Sequence, residues 1–355
     1  MLVVCTSGRY DGPQPVRRLL PKRARALLPA VFLLLTLFMP APAAAAGSVV
    51  SAGLGPGGRY SYQVNGQDQL FIGMGYNPIY RNLPFGLRAS FYQRDFRLLC
   101  QAGVNTITGW DADKGYDQDK FDELTMDTAA AYGLGVVMPI YLPIDGDYDD
   151  PNFFGSLLRL ATSKVQRFKG HSALRMWGLG NEVLADMPEE NQQAFLETYI
   201  SVADFIHQMD PNHPVIYRDA EDRSVPLLVS LLRASGNMRP WLLYGMNVYN
   251  PDPDLILRRW PGYGLNRPLF ISEFGPDGVG PRDRGQAYAR MWRIIRSHSD
   301  FIMGGAPYVW TTAGPEPTDA KWGIMDPNSN PVDDTFARLR QLWQAEPKAN
   351  RTNCT

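Results

Sequence analysis

Two apolar segments of this chain stop on a carboxylate: Trp177-Gly-Leu-Gly-Asn181-Glu182 and Phe270-Ile-Ser-Glu273-Phe-Gly275. A buried strand gains nothing in packing from an acidic end. A single such residue can be a helix N-terminus stabilising a negative charge. Two of them, one preceded by Asn, point instead to a pair of working carboxylates. Such a pair suits glycosidic bond cleavage, where one group protonates the leaving oxygen and the other attacks the anomeric carbon or activates water.

The elements that must position this pair follow from the hydrophobic pattern. Short apolar runs predict strands at Phe71–Tyr76, Val104–Trp110, Gly135–Leu142, Leu174–Glu182, Pro214–Asp219, Leu242–Tyr249, Pro268–Glu273 and Ile302–Trp310. Helical periodicity falls between them, at Ala89–Ala102, Gln118–Tyr132, Asn152–Lys169, Glu189–Met209, Val225–Ser235, Asp283–His298 and Asp334–Gln344, with a short Pro-rich crossover at Asp252–Trp260. Strands that alternate with helices imply an α/β fold with a parallel sheet. Eight such units in roughly 300 residues suit a (β/α)8 TIM barrel, whose active site lies at the C-terminal strand ends. A doubly wound sheet is the alternative, but no Gly-x-Gly-x-x-Gly follows a strand. Ahead of the barrel, Tyr60–Val64, Asn65-Gly66 and Gln69–Met74 read as a β-hairpin, since Asn-Gly favours a tight two-residue turn.

The other strand ends supply rim candidates: Tyr76 and Asn77 after the first strand and Tyr141 after the third. The loop Asp145-Gly-Asp147-Tyr-Asp149-Asp150 has the opening spacing of a calcium loop. Its sixth position is Asp150 rather than Gly and its twelfth is Ser156 rather than Glu, so a solvated acidic loop is expected. His171, His207, His213 and His298 are scattered without metal-ligand spacing, and neither a metal nor a cofactor is expected.

Composition bounds the class. The 355 residues are 45% hydrophobic and 20% charged, which suits one large globular domain, and the formal net charge of −1 carries no nucleic-acid signature. The N-terminus is a separate regime. Arg9, Arg17, Arg18, Lys22, Arg23 and Arg25 stand against Asp11, and an uncharged stretch from Ala26 to Ala46 ends in small residues. This reads as an export signal over residues 1–46, with an uncleaved anchor as the alternative. The expected organisation is then a linker at 47–58, a catalytic domain at 59–346 and a tail at 347–355. The protein is expected to be secreted or periplasmic, with no membrane partner beyond that possible anchor, and to act as a monomer. Of Cys5, Cys100 and Cys354, Cys100 is expected as a buried free thiol, although export permits a Cys100–Cys354 disulfide.

The strand-four and strand-seven motifs resemble those of clan A glycoside hydrolases. The greatest likeness is to the catalytic barrel of glycoside hydrolase family 2, with family 5 near it. Gly245-Met-Asn-Val-Tyr249 is similar to that family's strand six, and Tyr308-Val-Trp310 with Trp322-Gly-Ile-Met-Asp326 to its end. The resemblance covers about residues 60–345. It implies Glu182 as acid/base, Glu273 as nucleophile and retention of the β configuration. It also implies Asn181 on the sugar 2-hydroxyl, Tyr249 beside the nucleophile and Trp310 as the platform under the sugar. Two features depart from the pattern. These families place an Arg at the end of strand two, where Asn105-Thr-Ile-Thr-Gly-Trp110-Asp111 has none and leaves Trp110 or Asp111 to line the site. The flanking β-sandwich domains have no counterpart. The expected activity is a retaining β-glycosidase acting on an extracellular or cell-wall oligo- or polysaccharide. A β-glucanosyltransferase of the family 72 kind, a non-catalytic carbohydrate-binding barrel and a metal-dependent hydrolase are the alternatives.

Overall fold

The computed structural model describes residues 47–347, except 56, 78–79, 81–82, 110–120, 186 and 315–317. A closed parallel barrel is formed by β4 (Phe71–Gly75), β5 (Thr106–Thr108), β6 (Gly135–Ile140), β7 (Leu174–Leu179), β8 (Val215–Ala220), β9 (Leu242–Val248), β10 (Leu269–Phe274) and β11 (Ile302–Pro307), and β11 closes on β4. These are the eight strands expected, in the expected order. Most are buried along their full length, as strands covered on both sides must be. The helices wrap the outside: α1 (Phe85–Ala102), α2 (Glu123–Ala131), α3 (Pro151–Phe168), α4 (Glu189–Met209), α5 (Val225–Ala234), the short α6 (Asp254–Leu257), α7 (Arg284–Ser297), α8 (Asp319–Trp322) and α9 (Thr335–Ala345). Local chemistry sets their ends. Asp122 caps α2 by accepting from Thr125 N. Asp150 caps α3 by accepting from Asn152 N, with Pro151 in the first turn, so one of the acidic-loop residues has a capping role. Among the described residues, no group of three or more His, Cys, Asp or Glu is placed to hold a metal ion.

The N-terminal sheet is larger than expected. Segment 47–58, expected as a linker, contains a strand, β1 (Val50–Leu54), which pairs antiparallel with β2 (Tyr60–Val64). β2 in turn pairs with β3 (Gln67–Asp68). The turn between β2 and β3 follows its sequence signal: Asn65 and Gly66 both take positive φ, 53° and 75°. β1 forms because Val50 has apolar surface to bury. With Tyr62 and Val64 it joins the cluster of Phe71, Val137, Met176, Ile216, Leu243, Phe270 and Met303, which point into the barrel. The sheet therefore seals the floor, at the N-terminal ends of the strands. Ser48 fastens it there: its hydroxyl lies 2.5 Å from Leu174 O and 2.9 Å from His213 Nε2, and His213 Nδ1 lies 2.7 Å from Asp210 Oδ2.

Cys100 on α1 is disulfide-bonded, which corrects the free thiol expected. The other two cysteines lie outside the described residues. No helix among the described residues is long and apolar enough to cross a membrane.

Candidate active site

Two residues further along the strands from the apolar floor layer come Gly73, Gly178, Arg218, Gly245 and Ser272, on the same inward side by the period of two. The next inward positions are Asn247 on β9 and Tyr249 just past its end. The site is assembled on this upper level, at the C-terminal strand ends.

Glu182 sits just past β7 on a turn of unusual backbone. Gly180 has φ 64° and Glu182 itself φ 51°, a left-handed conformation that costs an L-residue other than Gly about 1–3 kcal/mol. The turn is held by Gly180 N donating to Ile140 O at 2.8 Å and Glu182 N donating to Arg218 O at 3.1 Å. The Glu182 carboxylate accepts from Asn247 Nδ2 at 2.9 Å, and the same amide lies 3.2 Å from Asn181 Oδ1. Asn247 Oδ1 accepts in turn from Ser272 Oγ at 2.7 Å. Glu273 lies beside Asn247 in the β9–β10 register. A single amide therefore spans from one carboxylate to the strand that carries the other.

Glu273 is 5% exposed, and its Oε2 accepts from Tyr249 Oη at 2.7 Å. The Tyr249 phenol is held well above its ordinary range. Burial is the largest cause, followed by the electrostatic influence of Glu273, Tyr308 and Glu182 and by the hydrogen bond to Glu273. The phenol thus stays a donor, and it feels both carboxylates. Its ring packs against Trp322 (centroids 5.0 Å) and Tyr308 (6.1 Å). Gly275 allows this approach, because a Cβ there would stand 3.0 Å from the Trp322 ring. Lys321 Nζ lies 4.5 Å from the Trp322 ring centroid and 2.5 Å from Asp277 Oδ1.

The expected residues divide accordingly. Glu182, Asn181, Glu273 and Tyr249 are brought together. Tyr141 lies half-buried just past β6, at the mouth. Trp110 and Asp111 lie outside the described residues. Trp310 is a correction: it is fully buried, and its ring packs edge-on to Phe336 of α9, so it offers no face to a sugar. The chain turns off the barrel after Pro307, which leaves Tyr308 toward the mouth and sends Trp310 into the layer beneath α9. Asn77 is 1% exposed, with Oδ1 against Gly109. Tyr76 faces outward and donates to Asp95 Oδ2 at 3.0 Å. Asn247, Ser272, Tyr308 and Trp322 lie within the quoted motifs but were given no role from the sequence. The period of two that places Gly245 and Tyr249 inward places Asn247 between them, and that signal would have found it.

The closed (β/α)8 barrel carries Glu182 and Glu273 at the C-terminal ends of its strands. Residues 62–302 match the family described as "Glycosyl hydrolases family 2, TIM barrel domain", and the chain belongs to that family. The β-galactosidase of Yersinia pseudotuberculosis is 24% identical over 188 residues, 50% of this chain and 16% of that protein. The solved β-D-glucuronidase of Dictyoglomus thermophilum superposes with a TM-score of 0.61 at 16% identity, over 84% of this chain and 54% of its own. A family 2 β-galacturonidase of Eisenbergiella tayi, bound to galacturonate, gives 0.62 at 16% identity over 86% and 55%. At that identity the likeness is one of fold. This chain spans little more than half of the solved chains and a smaller part of the galactosidase.

Proposed function

We propose that this protein is an exported retaining β-glycosidase that cleaves O-glycosidic bonds by double displacement. Glu273 attacks the anomeric carbon while Glu182 protonates the leaving oxygen. Glu182 then deprotonates the water that releases the sugar. The observation that carries the reading is Tyr249: its phenol donates to Glu273 and feels the charge of Glu182 as well. A hydrogen bond from Tyr249 orients the Glu273 carboxylate at the mouth. Asn181 beside Glu182 is the amide for the sugar 2-hydroxyl, able both to donate and to accept. The aromatic wall of Tyr308 and Trp322 replaces Trp310 as the surface for the apolar face of the sugar. Among the relatives, β-galactosides and β-uronides are the substrates to test first. The basic and apolar segment of residues 1–46 supports export, and N-terminal sequencing of protein recovered outside the cytoplasm, expected to start near Gly47, tests it.

The test of mechanism separates the carboxylates. Glu182→Ala keeps its first step on a 2,4-dinitrophenyl glycoside, whose leaving group needs no acid, and azide speeds its turnover. Glu273→Ala is inactive on every glycoside. Proton NMR of the first product from the parent enzyme shows the β-anomer. Near-normal hydrolysis by Glu273→Ala, or an initial α-anomer from a β-linked substrate, overturns the assignment.

A further inference from the structure

At the level just above the floor, one strand of the barrel carries a charged side chain. Where β4, β7 and β9 carry Gly73, Gly178 and Gly245, β8 carries Arg218, a charged side chain 2% exposed inside the barrel. The glycines make its room. A Cβ on Gly178 would stand 3.2 Å from Arg218 Cζ, and one on Gly245 3.1 Å from Arg218 Cγ. A buried guanidinium is costly unless its donors are satisfied, and here they meet main-chain oxygen. Nε and Nη2 both donate to Gly180 O, at 3.2 and 3.0 Å. Nη1 donates to Gly109 O and lies 3.4 Å from Thr108 Oγ1. The cation is thus delivered from strand five to the end of strand two, where the sequence itself supplies none.

The two ends of Arg218 grip one turn. Its guanidinium holds Gly180 O, and its own carbonyl accepts from Glu182 N. Those two points fall on Gly180 and Glu182, the two left-handed residues of the turn. We infer that Arg218 is a positioning residue for the acid/base: it clamps the Gly180–Glu182 turn so that the Glu182 carboxyl stays on the leaving oxygen. A methyl or methylene chain could fill the same space, but it could not hold a carbonyl from below.

The inference rests on the glycosidase reading, and its test exploits the division of labour between the carboxylates. Arg218→Lys and Arg218→Met are compared with the parent enzyme on phenyl and 2,4-dinitrophenyl β-glycosides of the sugar that the parent hydrolyses fastest. Rates are taken per active site, counted by trapping with a 2,4-dinitrophenyl 2-deoxy-2-fluoro-glycoside, so that unfolded protein drops out. General acid help is worth about 10²–10⁴-fold, and loosening its donor is expected to remove about 10–100-fold of kcat/KM on the phenyl glycoside. On the dinitrophenyl glycoside the loss should stay under about threefold, since that leaving group needs little protonation. Lys, which reaches one carbonyl, should fall between parent and Met. Equal losses on both substrates per trapped site, or none on either, would overturn the inference and leave Arg218 a packing residue. A parent enzyme that turns over no glycoside would overturn the glycosidase reading itself, an outcome visible before any variant is made.

Discussion

The side-chain amide of Asn247 lies 2.9 Å from Glu182 Oε1, and the oxygen of the same amide accepts from Ser272, the neighbour of Glu273. Asn247 is thus a neutral spacer between the two carboxylate positions. Replacing it with Asp changes the charge at almost constant shape. A second carboxylate at that distance raises the pKa of Glu182, because two like charges cannot both ionise cheaply. Glu182 would keep its proton to higher pH, and the alkaline limb of the kcat/KM profile for Asn247→Asp should move up by about 1–2 pH units. A limb that stays put or moves down would detach Asn247 from Glu182.

Tyr249→Phe removes the donor to Glu273 and leaves the ring. A hydrogen bond to a charged group contributes about 1.5–3 kcal/mol, so kcat/KM should fall roughly 10- to 150-fold. The ring contacts with Trp322 and Tyr308 remain, and the melting temperature should change little. A variant that keeps parental kcat/KM would show that the phenol does not tune the nucleophile.

Trp310 and Trp322 should respond in opposite ways. Trp310→Ala empties a fully buried site and should cost about 3–5 kcal/mol in denaturant unfolding, with KM of the folded enzyme unchanged. Trp322→Ala removes the ring that backs Tyr249 at the mouth and should raise KM on aryl glycosides. A several-fold KM change in Trp310→Ala at parental stability would restore Trp310 as the platform.

Asp219, buried on β8, is raised above the ordinary aspartate range by burial, against hydrogen bonds from Ser224, Tyr217 and Ala220 N. A carboxyl whose folded pKa is raised contributes stability below its unfolded pKa and loses it as pH rises through the folded value. Parent and Asp219→Asn, unfolded in urea at pH 4 and pH 7, differ only by this group. The stability of the parent relative to the variant should therefore be greater at pH 4. A gap that is constant or wider at pH 7 would contradict the raised value.

The carboxylates were legible because an apolar strand ending in Glu has few purely structural explanations, and two such strands have fewer. The barrel was legible because eight apolar runs alternate with helical periodicity. Trp310 misled because its orientation depends on how the chain leaves β11, a matter of the following loop rather than of spacing. The same loop returns Trp322 to the mouth, where Met325 bridges to Thr311. β1 was hidden because Val50-Ser-Ala-Gly-Leu54 has little intrinsic strand preference and gains its stability from β2 and the floor. Arg218 was not legible within the run Pro214–Asp219, because the room for it is made by glycines far away in sequence.

The floor sheet also has a consequence for the order of events in time. β1 and β2 leave the ribosome before any barrel strand, yet the surface they cover is complete only when Met303 on β11 is in place. Closing a loop of that length carries an entropic cost that must be met before the contact rewards it, so the docking of this sheet belongs to the late part of folding. Contacts made after the rate-limiting step slow unfolding and leave the folding rate alone. Truncating Tyr62, whose ring stands edge-on to Phe270 at 5.4 Å, should therefore shorten the lifetime of the folded enzyme in stopped-flow unfolding while refolding keeps its parental rate. The hairpin behaves as a latch on persistence, at the opposite end of the molecule from the chemistry.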